Sequence, residues 1–256
     1  MSRWLLNGYR FHPIDDPASF VAEIDGWARA LGLTGSVLVA REGINVALFG
    51  ARPAVEPVVA RIEASLGCAL VDVLWTALPA AAKPFRRLRV RERAEIVTFG
   101  LAVDGDAPGA HDVPPEAWNA LIARDDVRVI DVRNDYEVAL GSFAVGSVAA
   151  GAGTTATHAE NPGTSSFTEF RAYVERELGG DPEQPIAMFC TGGIRCAKAG
   201  AWMRSRGFTQ VYQLQGGILG YLVATDVDHS AWRGECFVFD DRAELPTATT
   251  GRPDRD

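Results

Sequence analysis

Apolar residues fall in short runs whose period changes along the chain, and that period names the elements. Runs over residues 4–11, 35–40, 44–49 and 70–76 predict strands. Between them, residues 18–31 place Phe20, Val21, Ile24, Trp27, Ala28 and Leu31 on one face of a helix, and residues 54–66 predict a second helix. Arg41-Glu42-Gly43 separates two of the strands as a turn with glycine at its close. In the second half, the β-branched run at 127–133 and the apolar Pro185-Ile186-Ala187-Met188-Phe189 predict strands, the latter fully buried. Residues 197–206 predict a helix stopped by Gly207, and 208–214 a strand running into a tight turn at Gly216-Gly217.

The first six elements follow the order β-α-β-β-α-β, which predicts a ferredoxin-like (acylphosphatase-like) α+β sandwich over residues 1–93. Many RNA-recognition modules share this order, but the chain lacks their pair of aromatic-rich strand motifs, so the fold alone does not establish RNA binding. A connecting strand and a linker are expected over 94–123, with the Gly-, Pro- and Asp-rich stretch 104–115 as the linker. An α/β domain with a parallel sheet is expected over 124–227. Residues 228–256 are expected to form a C-terminal segment whose polar end is disordered.

Composition narrows the classes. With 256 residues and 47% apolar side chains the chain is globular and long enough for two modest domains. No apolar stretch approaches about 18 residues, so no membrane span is expected. The N-terminal apolar run meets Asn7 too soon for a signal peptide. Four cysteines (Cys68, Cys190, Cys196, Cys236) fall short of a disulfide scaffold and suit a reducing cytoplasm. The four histidines are scattered without ligand spacing, so no metal is expected, and no Gly-x-Gly-x-x-Gly follows a strand. No cofactor is evident. The net charge of −8 argues against non-specific nucleic-acid binding but permits a local basic strip. One exists: six of the eleven residues from Lys83 to Arg93 are basic. Arg87, Arg89, Arg91 and Arg93 alternate with Leu88 and Val90, so an extended segment lines four guanidiniums along one side. The strip reads either as a polyanion contact or as a solvated edge strand that blocks aggregation.

The chemistry concentrates at Cys190-Thr191-Gly192-Gly193-Ile194-Arg195, with Cys196 directly behind. Cys190 ends the buried strand, in a glycine-bearing loop that opens a helix. Two adjacent glycines allow the amides of Thr191, Gly192, Gly193 and Ile194 to form an anion nest. The helix N-terminus and Arg195 add positive charge, and both favour thiolate over thiol, so Cys190 is expected to be a low-pKa nucleophile. Cys196 reads either as a resolving thiol or as a small residue packed in the first helical turn. Cys68 and Cys236 are expected to be structural. The loop carries four residues between cysteine and arginine, one fewer than cysteine-based phosphatases, and resembles the rhodanese (sulfurtransferase) active loop. Asp131-Val132-Arg133, Gly141-Ser142-Phe143 and the strand into Gly216-Gly217 resemble rhodanese signatures, with Asp131 and Arg133 expected to fix strand ends.

Motifs outside the loop make the resemblance more specific. Ala40-Arg41-Glu42-Gly43-Ile44-Asn45, Lys83-Pro84-Phe85-Arg86-Arg87-Leu88-Arg89-Val90, Glu95-Ile96-Val97-Thr98-Phe99-Gly100 and the Cys190 loop lie in the order found in the rhodanese-type tRNA uridine hydroxylases. The chain resembles that family along nearly its full length. The resemblance implies a cytoplasmic oxidoreductase that modifies tRNA, hydroxylating wobble uridine to 5-hydroxyuridine with dioxygen and a reductant the family does not identify. It maps the essential thiol onto Cys190, as a nucleophile that transiently carries a persulfide or an oxidised sulfur. It also turns Lys83, Arg86, Arg87, Arg89, Arg91 and Arg93 into tRNA-binding candidates. Two features depart from the family pattern: residues 144–163 are unusually rich in Gly, Ala and Thr, and longer members carry a cysteine-containing C-terminal extension, whereas this sequence ends soon after Val238-Phe239-Asp240-Asp241-Arg242. A plain sulfurtransferase and a non-catalytic binding module remain as rivals; the basic strip and first domain favour the hydroxylase over the former, and the intact loop counts against the latter.

Overall fold

The computed structural model describes residues 3–79, 81–102, 109–146, 157–240 and 244–245. The described residues up to 102 form one compact unit and those from 109 to 238 a second. The linker 104–115 lies partly outside the described residues, as does the Gly/Ala/Thr-rich stretch 144–163, and the polar end 246–256 lies wholly outside.

The first unit runs β1 (Arg3–Phe11), α1 (Pro17–Ala30), β2 (Thr34–Ala40), β3 (Gly43–Gly50), α2 (Arg52–Leu66), β4 (Val71–Leu78) and β5 (Leu88–Glu92), in sheet order β4-β1-β3-β2-β5. This is the expected ferredoxin-like sandwich with a fifth, parallel strand added beside β2. Asp16 opens α1 by accepting the Ser19 amide at 3.1 Å, and Pro17 sits at the first helical position. Phe20, Ile24 and Ala28 are buried in the core with Val37, Val39, Ile44, Val46 and Leu48, while Val21 and Trp27 pack at its margin. Leu31, expected on the buried face, is 45% exposed: it caps α1, and Gly32 at φ +65° turns the chain so that Leu33 enters the core instead. Gly43 closes the β2–β3 turn at φ +149°, where a Cβ would lie 2.1 Å from the Arg10 carbonyl oxygen, so no side chain fits.

Leu88 and Val90 of β5 face the core, which turns Arg89 and Arg91 to the other side of the sheet. Of the connecting strand and linker expected over 94–123, the described residues form a strand only at His111–Val113, and the stretch directly after β5 has none. The Glu95 carboxylate accepts the amides of Phe99 and Gly100, and Glu42 accepts that of Ile96 at 2.9 Å. Side chains there take the amides that a sheet neighbour would have taken.

The second unit contains β6 (His111–Val113), α3 (Pro115–Ile122), β7 (Arg128–Asp131), α4 (Asp135–Val138), β8 (Gly141–Val145), β9 (Thr157–His158), α5 (Phe170–Glu177), β10 (Ile186–Phe189), α6 (Ile194–Ser205), β11 (Val211–Leu214), α7 (Gly217–Ala224), β12 (Trp232–Gly234), β13 (Cys236–Phe237) and β14 (Glu244–Leu245). Its main sheet is parallel, in the order β6-β11-β10-β7, with β10 central and wholly buried. A smaller antiparallel sheet joins β12, β8 and β9. Phe143 on β8 ties the two together: its ring lies edge-on to Phe189 and Tyr221, each at 4.8 Å, and to Trp232 at 5.1 Å. Phe143→Ala is expected to cost about 3–5 kcal/mol, read as a lower urea midpoint at unchanged slope; an unchanged midpoint removes Phe143 from this role.

Candidate active site

Cys190 follows the last residue of β10, at the carboxyl end of a parallel sheet, where open α/β sheets place their ligands. Two neighbours share that end. Asp131 closes β7 opposite Phe189, and β11 turns through Gly216 (φ +70°) and Gly217 (φ +61°) into α7. The glycine pair does more than turn. The amides of Ile218 and Leu219 donate to the carbonyls of Cys190 and Thr191 at 2.9 and 3.0 Å, and a Cβ on Gly217 would lie 2.6 Å from the Cys190 oxygen. The start of α7 therefore grips the loop by its backbone.

The loop needs one glycine for its conformation, not two. Gly193 adopts φ +91° and donates its amide to Cys190 Sγ at 3.2 Å. Gly192 has no left-handed φ, and a Cβ there would meet nothing within 4 Å. Its lack of a side chain leaves the surface of the loop bare. Thr191 is buried, and its hydroxyl receives the Arg195 Nη2 hydrogen bond at 3.2 Å. Ile194 begins α6, so Arg195 and Cys196 lie in the first helical turn.

Cys190 is only 1% exposed. Burial opposes its ionisation, but hydrogen bonding from the Cys196 thiol, the charge of Arg195 and the amides of Cys196 and Arg195 outweigh it, and its pKa falls from 9.0 to about 5. The amides that favour the anion thus come from Gly193 and from the helical turn beyond the expected nest. Cys196 is pushed the other way, well above the ordinary thiol value, by burial and by its hydrogen bond to the Cys190 anion. At neutral pH the pair is one thiolate and one thiol, with Cys196 as the donor.

Arg195 does not give its whole charge to the sulfur. Its two terminal nitrogens reach the Glu137 carboxylate at 2.7 and 2.8 Å, a buried bidentate pair. Glu137 is held in turn by α4, where its carboxylate accepts the Asn134 amide at 3.1 Å as half of a capping box. Asn134-x-x-Glu137 is legible as a helix start, but nothing in the sequence pairs Glu137 with an arginine 58 residues away. Beside it, Asp131 and Arg133 form a fully buried pair at 2.7 Å, joined by the Ser142 hydroxyl at 2.9 Å. Burial drives the Cys236 thiol up to about 12, leaving it an apolar filler. Cys68 packs half-buried against the core of the first unit.

Lys83, Arg86, Arg87, Arg89 and Arg93 are exposed and Arg91 is half-buried, all in the first unit, whereas the Cys190 loop belongs to the second. Arg29, Arg52, Arg124 and Arg128 each hold a carboxylate at 2.5–2.8 Å. Arg87, Arg89, Arg91 and Arg93 form no ion pair among the described residues. Among the described residues no group of three His, Cys, Asp or Glu is placed to hold a metal ion, and no helix is long and apolar enough to cross a membrane.

Alkylation of Cys190 by iodoacetamide, followed peptide by peptide against pH, is expected to rise through about pH 5 and level off before pH 7. Removing the thiol donor with Cys196→Ala destabilises the anion, so the midpoint moves to higher pH, while Cys196→Ser keeps a donor and moves it less. A wild-type midpoint near the ordinary ~8.5 contradicts this account of the loop.

Comparison with known proteins covers both units. A UPF0176 acylphosphatase like domain matches residues 4–96, and a Rhodanese-like domain matches residues 114–224. The tRNA uridine(34) hydroxylase of Caulobacter vibrioides (strain NA1000 / CB15N) is 42% identical over 245 residues, covering 93% of this chain and 73% of its own length. That of Gluconobacter oxydans (strain 621H) is 42% identical over 242 residues, covering 93% and 72%. That of Acinetobacter baumannii (strain AYE) is 39% identical over 237 residues, covering 93% and 70%. Identity of 39–42% over 93% of this chain makes it a member of the tRNA uridine(34) hydroxylase family.

Proposed function

We propose that this chain hydroxylates uridine 34 of tRNA to 5-hydroxyuridine, with Cys190 as its reacting thiolate. The observation that carries the reading is family membership through 93% of the chain, joined to a sulfur that the fold keeps ionised. Inserting one atom of dioxygen at the C5–H bond, with the other leaving as water, consumes two electrons and two protons. An external reductant supplies the electrons. Cys190, ionised at neutral pH, needs no separate base to act as a nucleophile and transiently carries a persulfide or an oxidised sulfur. The Gly193 amide, the first turn of α6 and the Glu137-held Arg195 stabilise that anion.

Lys83, Arg86 and the four edge-strand arginines contact the tRNA backbone in this reading. Its support is charge without partners: Arg87, Arg89, Arg91 and Arg93 are unpaired among the described residues of a chain whose net charge is −8. A sulfurtransferase reading is favoured by the loop itself, whose four residues between Cys190 and Arg195 suit sulfur transfer to a small acceptor.

Nucleoside analysis of tRNA from cells carrying only Cys190→Ser is expected to show no 5-hydroxyuridine or its alkylated derivatives, with Cys68→Ser near wild type. Unchanged tRNA together with fast thiosulfate-to-cyanide transfer decides for the sulfurtransferase. Replacing Arg87 and Arg89 by glutamine is expected to weaken tRNA binding and flatten its log–log salt dependence by about 0.7 to 0.9 per lost phosphate contact. An unchanged slope returns the strip to the role of a solvated edge strand.

A further inference from the structure

The sheet of the first unit has two faces, and its register says which residues share each. Leu6, Val37, Val46 and Leu88 point into the core with the two helices. Alternation turns their neighbours Asn7, Ser36, Ala47 and Arg89 to the opposite face. Pairing sets these side by side: Asn7 lies opposite Ala47, Ala47 opposite Ser36, and Ser36 opposite Arg89. They form one row across four adjacent strands, about 14 Å from end to end. Asn7, Ser36 and Ala47 are half-buried and Arg89 is exposed. The side chains of Asn7, Ser36 and Arg89 make no hydrogen bond or ion pair among the described residues. On the next row, by contrast, Asn45 Nδ2 donates to the Ile96 carbonyl at 3.5 Å. Free charge on this face is positive: Arg91 follows Arg89 two residues along β5, and Arg3 lies over the Phe49 ring at 4.5 Å, while the Asp72 carboxylate is held by the Tyr9 hydroxyl at 2.8 Å.

We propose that this open face, and not only the arginine edge, carries the tRNA, with the sugar–phosphate backbone lying across the row from Asn7 to Arg89. The proposal rests on the tRNA reading and adds to it a surface and three residues, Asn7, Ser36 and Ala47. The Arg89 guanidinium takes a phosphate. The Asn7 amide and the Ser36 hydroxyl each donate and accept, which matches phosphate oxygens and ribose hydroxyls together. Ala47 stands between them and is too small to hold a strand off the sheet. The row contains no ring on which a base stacks, so it meets the backbone rather than the bases. The same groups decide the class of partner. An apolar protein surface laid here leaves Asn7 and Ser36 buried without hydrogen bonds and Arg89 without a counter-charge, which costs affinity. A polyanion rich in hydroxyls satisfies all three.

The test titrates the full chain against a fluorescent tRNA anticodon stem-loop by anisotropy at several salt concentrations, with a cooperative urea transition as the check that each variant is folded. Asn7→Ala and Ser36→Ala are each expected to lower affinity about two- to tenfold, the loss of one hydrogen bond, with the salt slope unchanged because neither residue carries charge. Ala47→Glu sets a carboxylate in the middle of the row and is expected to weaken binding at least about fivefold, the repulsion of one phosphate at contact distance in water. Ala22→Glu adds the same charge to the exposed side of α1, across the sheet, and is expected to change affinity far less, since salt screens charges more than about 8 Å apart. Wild-type affinity in both alanine variants, or equal losses in Ala47→Glu and Ala22→Glu, overturns the surface. So does a changed oligomeric state in Ala47→Glu at unchanged tRNA affinity, which assigns the face to a second copy of the chain. If Ala47→Glu does not fold, the two alanine variants decide. If the wild-type chain binds the stem-loop and forms 5-hydroxyuridine while the variants contradict the surface, the surface fails and the tRNA reading stands. If the wild type does neither, both fall.

Discussion

A sulfur anion kept in a nearly dry loop is the interaction on which the second unit depends. Burial by itself would drive Cys190 toward the neutral thiol, so each donor that reverses this has to be held in place by a different element. The Gly193 amide comes from the loop, the Arg195 and Cys196 amides from the first turn of α6, and the loop carbonyls are fixed by the first amides of α7. The charges alone do not balance. Cys190 and Glu137 both draw on the Arg195 guanidinium, while Asp131 and Arg133 beside them pair with each other. Amide dipoles and the Cys196 thiol supply the remaining stabilisation, which is why the loop has to open a helix.

The same economy explains the buried ion pairs. A bidentate Arg195–Glu137 pair out of water gains little net stability, because desolvation offsets most of the attraction. What it does is fix the guanidinium at one height above the loop, with Thr191 as a third contact. Arg133 is held likewise between Asp131, the Gly141 carbonyl and the Trp232 ring, with its Nη1 buried and without a hydrogen bond. The aromatic cluster around Phe143 gives these polar groups a rigid floor, since Phe189, directly before Cys190, packs edge-on against it.

In the first unit the governing constraint is the sheet edge. A fifth strand paired to β2 would expose a template for further strands, and its unpaired arginines oppose such pairing by repulsion. Solubility alone is served by mixed charges, as on the helices, where Arg29 and Arg52 meet carboxylates one turn away. Arg89 and Arg91 on β5, with Arg87 and Arg93 flanking it, form no ion pair among the described residues and make a surface of a different kind, suited to a polyanion.

Much of this was legible from one dimension. The element order of the first unit, the buried β10, the helix stop at Gly207 and the placement of Cys190 between a strand end and a helix start follow from local periodicity and from residue types that act on their own backbone neighbours. Leu31 departs from the helix-face pattern because the chain turns at Gly32 and sends Leu33 into the core in its place. Gly192 looked like Gly193, yet only φ separates a glycine that the backbone requires from one that leaves space above the loop. Strand end, glycine and helix start are contiguous around Cys190, so the place of the thiolate is written in one dimension. Sheet pairing and burial, which no local pattern encodes, bring Glu137 to Arg195, set the start of α7 against the loop and place β5 beside β2, each joining residues at least 27 positions apart.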